Sequence, residues 1–432
     1  MNRYLSKSSS ETGRTVFLLV FFTFSAILML LLCLWAFTAN NIWLYLSIYF
    51  VLIYAFFLKG KHSLFSIPTL FCIFFSYMIG LGPVIAHFRD WKPHPSVMQL
   101  ILGSFGLILF GYILPIRKNS ISNNVIKDNY SIIWSFNTVL LLISTVASTL
   151  YAWSVNSFDM SLAASRIVAL SGQGTLIYIS NFWVFASCLL YELQLKGYRK
   201  IGLLWIPILI CIITKILSGF QSSFLVFFVM LILIRNKKEK MKPFFILAFG
   251  CAVLLFVPFY QIFRGDYSSA QGILPSIFLT PFASVINLTH VLNAFPNAIP
   301  YQYGYTYLIN FIMLRPGPDP DFTLWLKDAL NMQFVGGGVT PTIIGEAYLN
   351  FGYTGIIIQM FLFGLILKRV NLYYINSKNY FLPSYLMMTM LNSLRGGVAN
   401  ISISLLMFLT MYFIMRLIVR LSVVPQATGR QL

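Results

Sequence analysis

The chain has 432 residues, of which 58% are apolar and only 9% are charged, and its mean hydropathy is +0.80. This composition lies far from that of soluble domains and excludes a soluble globular protein. The net charge of +19 would also suit a nucleic-acid-binding protein, so the distribution of the basic residues decides what the charge means.

Long apolar segments recur along the whole chain. A transmembrane helix needs about 20 apolar residues, whereas the strands of a membrane barrel show short alternation. The sequence therefore predicts an all-α integral membrane protein, a single polytopic domain over residues 1–432 with about 12 transmembrane helices. The first of them is too long for the apolar core of a signal peptide and is predicted to remain uncleaved. The predicted spans are 16–37, 42–58, 64–86, 97–116, 132–154, 175–193, 201–217, 220–234, 243–263, 341–367, 380–394 and 401–421.

The basic residues separate by side of the membrane. With the N-terminus inside, 22 of the 30 Lys and Arg residues fall on the inner side, which satisfies the positive-inside rule and predicts that both termini are cytoplasmic. The basic surplus is therefore interpreted as a topology signal and a contact with anionic lipid, and nucleic acid is not expected as a partner. The other basic residues are predicted to lie outside or at outer helix ends: Arg89, Lys92, Arg166, Lys215, Arg264, Arg315, Lys327 and Arg395.

The longest polar stretch, residues 264–340, is predicted to be a large external loop region between spans nine and ten. A structureless loop of this length is uncommon unless it is functional. Part of it, residues 273–292, is apolar enough for a half-buried or re-entrant helix, broken by Pro275 and Pro281.

Four arginines lie at membrane-proximal breaks on the predicted outer face: Arg166, Arg264, Arg315 and Arg395. Guanidinium is always charged and donates two parallel hydrogen bonds, so these residues are candidates for binding a diphosphate headgroup. Alternatively, each ends a helix by extending its charge to the interface.

Glu346 follows a glycine-rich loop and lies in the opening turn of span ten, where a carboxylate is costly without a partner or a task. Asn350 and Tyr353 follow it at i+4 and i+7, which predicts one polar helix face. Glu346 is the first candidate for a general base toward a hydroxyl. The alternatives are a salt bridge to an external Arg or a cap at a helix start.

Other candidates in the external region are weaker. His290 is its one histidine and is the second candidate base or proton shuttle, although a lone His is more often only hydrogen-bonded. Asp319-Pro-Asp321 resembles a metal–diphosphate motif, but the surrounding prolines favour a turn. The chain has no Walker loop, no GxGxxG, no HExxH and no GxSxG, so we expect no cofactor, no metal and no bound nucleotide.

The string that runs from Gly336 through Thr340, Glu346 and Asn350 to Gly355, followed by Phe361-Leu-Phe-Gly364, resembles the C-terminal signature of bacterial O-antigen or oligosaccharide repeat-unit polymerases of the Wzy type. Phe295-Pro296 and Tyr303-Gly-Tyr-Thr-Tyr-Leu308 are similar to the external loop of that family. The pattern of spans with a large outer loop agrees with this resemblance.

The resemblance implies a metal- and nucleotide-independent membrane glycosyltransferase in the bacterial inner membrane. Such an enzyme takes undecaprenyl-diphosphate-linked oligosaccharide at the outer leaflet and transfers the growing glycan to a new lipid-linked unit, in O-antigen, capsule or exopolysaccharide synthesis. A chain-length regulator and a flippase are the implied partners besides the bilayer. External arginines would neutralise the leaving diphosphate, Glu346 or His290 would serve as base, and aromatic residues between Tyr301 and Trp325 would stack on sugars.

Two alternatives stay open. An O-antigen ligase-like transferase would use the same donor with another acceptor. A lipid-linked oligosaccharide flippase or other secondary transporter also has about twelve spans, but inverted repeats, which are typical of transporters, are not visible in the sequence.

Overall fold

Helices account for all of the regular secondary structure in the residues that the computed structural model describes, which are 41–59, 66–115, 129–154, 174–218, 221–241, 244, 248, 278–311, 321–333 and 338–422. The predicted span 16–37 lies outside these residues, as does nearly all of 243–263. Each of the other predicted spans coincides with a helix, because uninterrupted apolar runs of this length satisfy their backbone groups internally in lipid.

The helices are numbered here in chain order. A π-helical turn at Ser76–Gly80 follows the helix Ile67–Phe75, and a 3-10 turn at Gly202–Leu204 leads into the helix Trp205–Leu217. The helices are α1 (Ile42–Lys59), α2 (Ile67–Phe75), α3 (Gly82–Phe88), α4 (Val97–Ile113), α5 (Tyr130–Ser154), α6 (Gly174–Leu195), α7 (Trp205–Leu217), α8 (Gln221–Lys238), α9 (Leu279–Ala294), α10 (Tyr305–Ile309), α11 (Phe322–Ala329), α12 (Thr342–Asn376), α13 (Phe381–Gly396) and α14 (Ala399–Ser422).

Within the described residues, five helical stretches are long and apolar enough to cross a membrane: the combined α2–α3 stretch Ile67–Phe88, and the stretches within α5, α6, α12 and α14. The helices α1, α4 and α7 are apolar but shorter. Together with the exposed apolar side chains along α5 and α14, for example Val146 and Phe413, this makes the chain an α-helical membrane protein.

Two layers of packing hold the described helices together. On one side α5 packs along α6 and α7, and on the other α12 packs along α4, α9 and α13. An aromatic cluster fills the space between α1, α2 and α4, where Phe56, Phe71, Phe75 and Phe105 pack with ring centroids between 4.8 and 6.1 Å apart. The long helix α12 therefore sits at the centre of one layer, which places its polar N-terminal part inside the protein.

Helices α4 and α12 approach closely through two glycines that face each other. A Cβ atom built on Gly111 would lie 3.3 Å from Gly364 Cα and still closer to the Phe361 carbonyl oxygen. A Cβ on Gly364 would lie 2.9 Å from the Ile108 carbonyl carbon. Small residues at this crossing let the two backbones touch, which is the usual way membrane helices associate.

Substitution of Gly111 by leucine should therefore separate α4 from α12. Overpacking of this kind costs about 1–3 kcal/mol, so the melting temperature of the purified protein in detergent should fall by several degrees. The matched control is Gly103→Leu on the same helix, since Gly103 is exposed and nothing lies within 4 Å of a Cβ built there. Equal melting temperatures for the two variants would contradict this account of the crossing.

The helix α12 is broken near its start. Phe351 (φ −138°) and Gly352 (φ 62°) leave the helical conformation, and Gly352 adopts a left-handed φ that only glycine accepts readily. The residues from Thr342 to Asn350 are all buried, whereas Tyr353 is 52% exposed. The predicted polar face is therefore correct for Glu346 and Asn350 but wrong for Tyr353, because the break rotates everything after it.

Helix α9 overlaps most of the segment predicted to be a re-entrant helix, residues 273–292, and ends two residues beyond it. The predicted break at Pro281 is wrong, because Pro281 occupies the first turn of α9, where a missing N–H leaves no hydrogen bond unmade. Pro275 lies outside the described residues.

Candidate functional site

A polar cavity of about 440 Å³ opens at one end of the helix bundle. It lies where α6 begins, α13 ends and α14 begins, and the segment around α10 and α11 forms another part of its wall. Its size is within the range of small-molecule sites. The lining residues are Ile177, Tyr178, Asn181, Val184, Val226, Asn310, Asp321, Thr323, Thr340, Tyr385, Met388, Thr389, Asn392, Arg395, Gly396, Asn400, Ile401 and Ser404.

Carboxamides and hydroxyls dominate the polar part of this lining. Four asparagines line it, from four different segments: Asn181 (α6), Asn310 (after α10), Asn392 (α13) and Asn400 (α14). Each carboxamide offers both donors and acceptors, as do the hydroxyls of threonine and tyrosine. The cavity can therefore hydrogen-bond a ligand that is rich in hydroxyl groups.

One cation and one carboxylate belong to the described lining, Arg395 and Asp321. Arg395 lies in the last turn of α13 and is exposed, and Asp321 is the residue that caps α11. The two side chains form no ion pair with each other. The lining of one cavity thus includes both a positively and a negatively charged side chain.

Glu346 lies behind the cavity wall and does not line it. Its side chain is fully buried, and each carboxylate oxygen accepts a backbone hydrogen bond, Oε1 from Ala399 N at 2.8 Å and Oε2 from Val398 N. These are the first amides of α14, which have no partner within the helix and carry partial positive charge. Of the roles predicted for Glu346, the helix cap is the one its contacts match, but it caps α14 and not its own helix, and no described basic residue forms a salt bridge with it.

The turn between α13 and α14 is shaped to receive this carboxylate. Gly397 has φ +81°, and a Cβ atom there would lie 2.7 Å from Glu346 Cδ. Glycine is therefore required at this position both for the backbone conformation and for the close approach. Through this turn Glu346 sets the positions of Arg395, Gly396 and Asn400, all of which line the cavity.

Asn310 connects the two charged sides of the cavity. Its Nδ2 donates to the Ala399 carbonyl at 2.8 Å, and its Oδ1 accepts from Phe322 N at 2.7 Å. The hydrogen-bonded chain therefore runs from Glu346 through Ala399 and Asn310 to the first residue of α11, next to Asp321.

Asn350 likewise joins two segments by hydrogen bonds, at the break in α12. Its Nδ2 donates to Thr306 Oγ1 at 2.6 Å, and its Oδ1 accepts from Gly304 N at 2.9 Å. The amides of Gln302 and Tyr303 bond the carbonyls of Leu349 and Asn350, which the break leaves without helical partners. The segment before α10 is thus attached to the buried half of α12.

The remaining predicted site residues are not brought together in the described residues. His290 is exposed on α9 and does not line the cavity. Arg166, Arg264, Arg315 and Asp319 lie outside the described residues, so their predicted convergence with Arg395 remains a prediction. Within those residues no three His, Cys, Asp or Glu side chains come together as a metal site would require.

No family model, curated protein or solved structure matches this chain. The site is therefore interpreted from its own geometry.

Sequence reasoning missed the asparagines, and for Asp321 it favoured a turn over a metal–diphosphate motif without predicting the cap on α11. The available signal was the position of Asn181, Asn392 and Asn400 within or at the ends of predicted spans, where polar side chains are costly and usually functional. The sequence analysis also placed Lys215 among the outer basic residues but predicted no role for it. Lys215 is fully buried at the end of α7, and its Nζ donates to Ser180 Oγ at 2.5 Å, beside the cavity residues of α6.

Proposed function

We propose that this protein is a membrane glycosyltransferase that polymerises undecaprenyl-diphosphate-linked oligosaccharide repeat units at the outer leaflet of the bacterial inner membrane. The observation that carries the proposal is the cavity, in which carboxamides and hydroxyls surround one arginine and one aspartate. The carboxamides and hydroxyls can hydrogen-bond a sugar, and the arginine can bind a diphosphate leaving group. The aspartate can accept the proton of an attacking hydroxyl.

The distribution of basic residues over the ends of the helices supports the proposed cytoplasmic termini and the proposed outer 264–340 region. The helices that line the cavity include the N-terminal half of α6, the first turns of α14 and α13 from Tyr385 to its end. The opposite ends of these helices carry Lys196, Lys378, Arg416 and Arg420. Because basic residues favour the cytoplasmic side, this distribution supports the proposal that the cavity end faces outside.

The glycine-rich string that resembles repeat-unit polymerases also supports the proposal, because it builds the wall of the cavity. Val339 N donates to the Thr323 carbonyl at 2.9 Å, and Gly338 lies against Thr323, where a larger residue would not fit. Thr340 lines the cavity directly, and Glu346 holds the turn behind Arg395. The similarity therefore coincides with the residues that shape the site.

A gene deletion tests the proposed reaction. The expected result is that surface polysaccharide, separated on a gel, is reduced to single repeat units on the final carrier. Long lipid-linked chains that never reach the final carrier would instead indicate a ligase. Loss of all surface units with accumulation in the cytoplasm would indicate a flippase, and either outcome would contradict the proposal.

A further inference from the structure

Asp321 is the one carboxylate among the described residues that line the cavity. Its backbone is extended (φ −71°, ψ 169°), as is typical of the residue that precedes a helix, and its side chain caps α11. Only one of its two oxygens takes part in this cap. Oδ1 accepts from Leu324 N at 2.8 Å and from Thr323 Oγ1 at 2.8 Å, whereas no described residue donates to Oδ2.

The cap holds Asp321 in one orientation. The two donors on Oδ1 stabilise the anion and fix the plane of the carboxylate, so that Oδ2 keeps its capacity to accept a hydrogen bond. The next residue, Phe322, is attached to Asn310, which in turn is attached to Ala399 at the start of α14. Asp321 is therefore positioned relative to Arg395 by hydrogen bonds on both walls of the cavity.

Glu346 differs from Asp321 in each of these respects. Both of its oxygens accept backbone hydrogen bonds, its side chain is fully buried, and it does not line the cavity. A group in this state is suited to hold a turn, while a group that lines the cavity with an available oxygen is suited to accept a proton.

We infer that Asp321, and not Glu346, is the general base of the glycosyl transfer, an inference that rests on the function proposed above. The acceptor sugar hydroxyl attacks the anomeric carbon of the donor glycan and forms the new glycosidic bond. The bond from that carbon to the lipid diphosphate breaks, and the electron pair leaves with the diphosphate beside Arg395. The hydroxyl proton passes to Asp321 Oδ2, so atoms and charge balance without a further reactant.

The test uses the full-length protein in lipid nanodiscs, with lipid-linked repeat units extracted from the deletion strain as substrate. Asp321→Asn keeps an oxygen for the cap but removes the base, so kcat should fall by about 10²–10⁴-fold while KM and the melting temperature stay near wild type. The matched control is Asp328→Asn on the same helix, because Asp328 is exposed and does not line the cavity.

Several outcomes would overturn the assignment. Chain growth by Asp321→Asn within tenfold of wild type would do so, as would an equal loss in Asp328→Asn, which would indicate damage to α11. If Asp321→Asn lowers the melting temperature, Asp321→Ser, whose hydroxyl also caps helices well, replaces it in the comparison, and near-wild-type kcat in that variant would overturn the assignment equally. Failure of the wild-type protein to elongate the substrate is a different result, because it contradicts the proposed function itself.

Discussion

Glu346→Gln is expected to slow chain growth at limiting substrate and to lower the melting temperature of the purified protein. Glutamine retains one acceptor oxygen but replaces the other with an NH₂ group, which would face a backbone N–H of the turn between α13 and α14. A buried donor left without its acceptor costs about 1–3 kcal/mol. Loosening of this turn displaces Arg395 and Asn400, so KM for the lipid-linked substrate should rise. Initial rates and thermal unfolding in detergent measure both effects.

The chain contains a matched control for this variant. Glu192 is also buried and also accepts two backbone hydrogen bonds at the start of a helix, from Tyr380 N at 3.2 Å and Phe381 N at 3.0 Å. It lies at the opposite end of α6 from the cavity and is ion-paired with Lys196 at 2.7 Å. Glu192→Gln should therefore destabilise the protein comparably and leave KM unchanged.

Glu346 was also the first candidate for the general base, and the same measurements separate the two roles. A variant with wild-type melting temperature and KM but a greatly reduced kcat would identify Glu346 as the base and contradict its role in positioning the turn. His290→Gln should leave the kinetics unchanged, since His290 is exposed on α9 and away from the cavity.

Arg395→Gln is expected to produce the second large effect, a rise in KM for the lipid-diphosphate donor of about 10²-fold or more. Charge-assisted hydrogen bonds to phosphate contribute about 1.5–3 kcal/mol each, and a guanidinium supplies two at once. Arg395→Lys keeps the charge but loses the bidentate geometry, so its KM should lie between those of wild type and Arg395→Gln. Donor titrations at two salt concentrations measure this, because screening weakens the charged contact.

The control for Arg395 is Arg89→Gln. Arg89 is predicted to lie on the same side of the membrane but packs over the Phe282 ring at 4.8 Å and does not line the cavity. Unchanged KM in Arg395→Gln, or an equal rise in Arg89→Gln, would show that the cavity is not where the diphosphate binds.

Much of the fold follows from the sequence because lipid leaves the backbone few choices. Apolar runs of sufficient length must become helices, which is why each predicted span that the structure describes is helical. The break at Gly352 was not predicted, since a glycine in an apolar run is tolerated in most membrane helices. Here the amides of Gln302 and Tyr303 make the break favourable by bonding the carbonyls it releases, and those residues are distant in sequence.

The candidate site was predicted less completely. The sequence identified Glu346 as a carboxylate at membrane depth and Arg395 as an outer arginine. Arg395 lines the cavity, and Glu346 lies behind the same wall. Periodicity placed Tyr353 on the same face as Glu346, which is wrong because the break intervenes. The asparagines were not predicted as site residues because each is isolated within its own segment. They form a common polar surface only where α6, α10, α13 and α14 converge.

The sequence by itself determined that this is a helical membrane protein and where its apolar helices run. It also determined which polar residues lie in apolar segments, where burial is costly unless the residue has a partner or a function. These properties follow from local hydrophobicity and charge, which do not depend on how the helices meet. Only the tertiary structure decided that both carboxylate oxygens of Glu346 accept hydrogen bonds from amides at the start of α14, while Oδ2 of Asp321 accepts none from the residues that the structure describes. The reason is that the partners of a carboxylate come from segments far apart in the chain, and helix packing alone selects them.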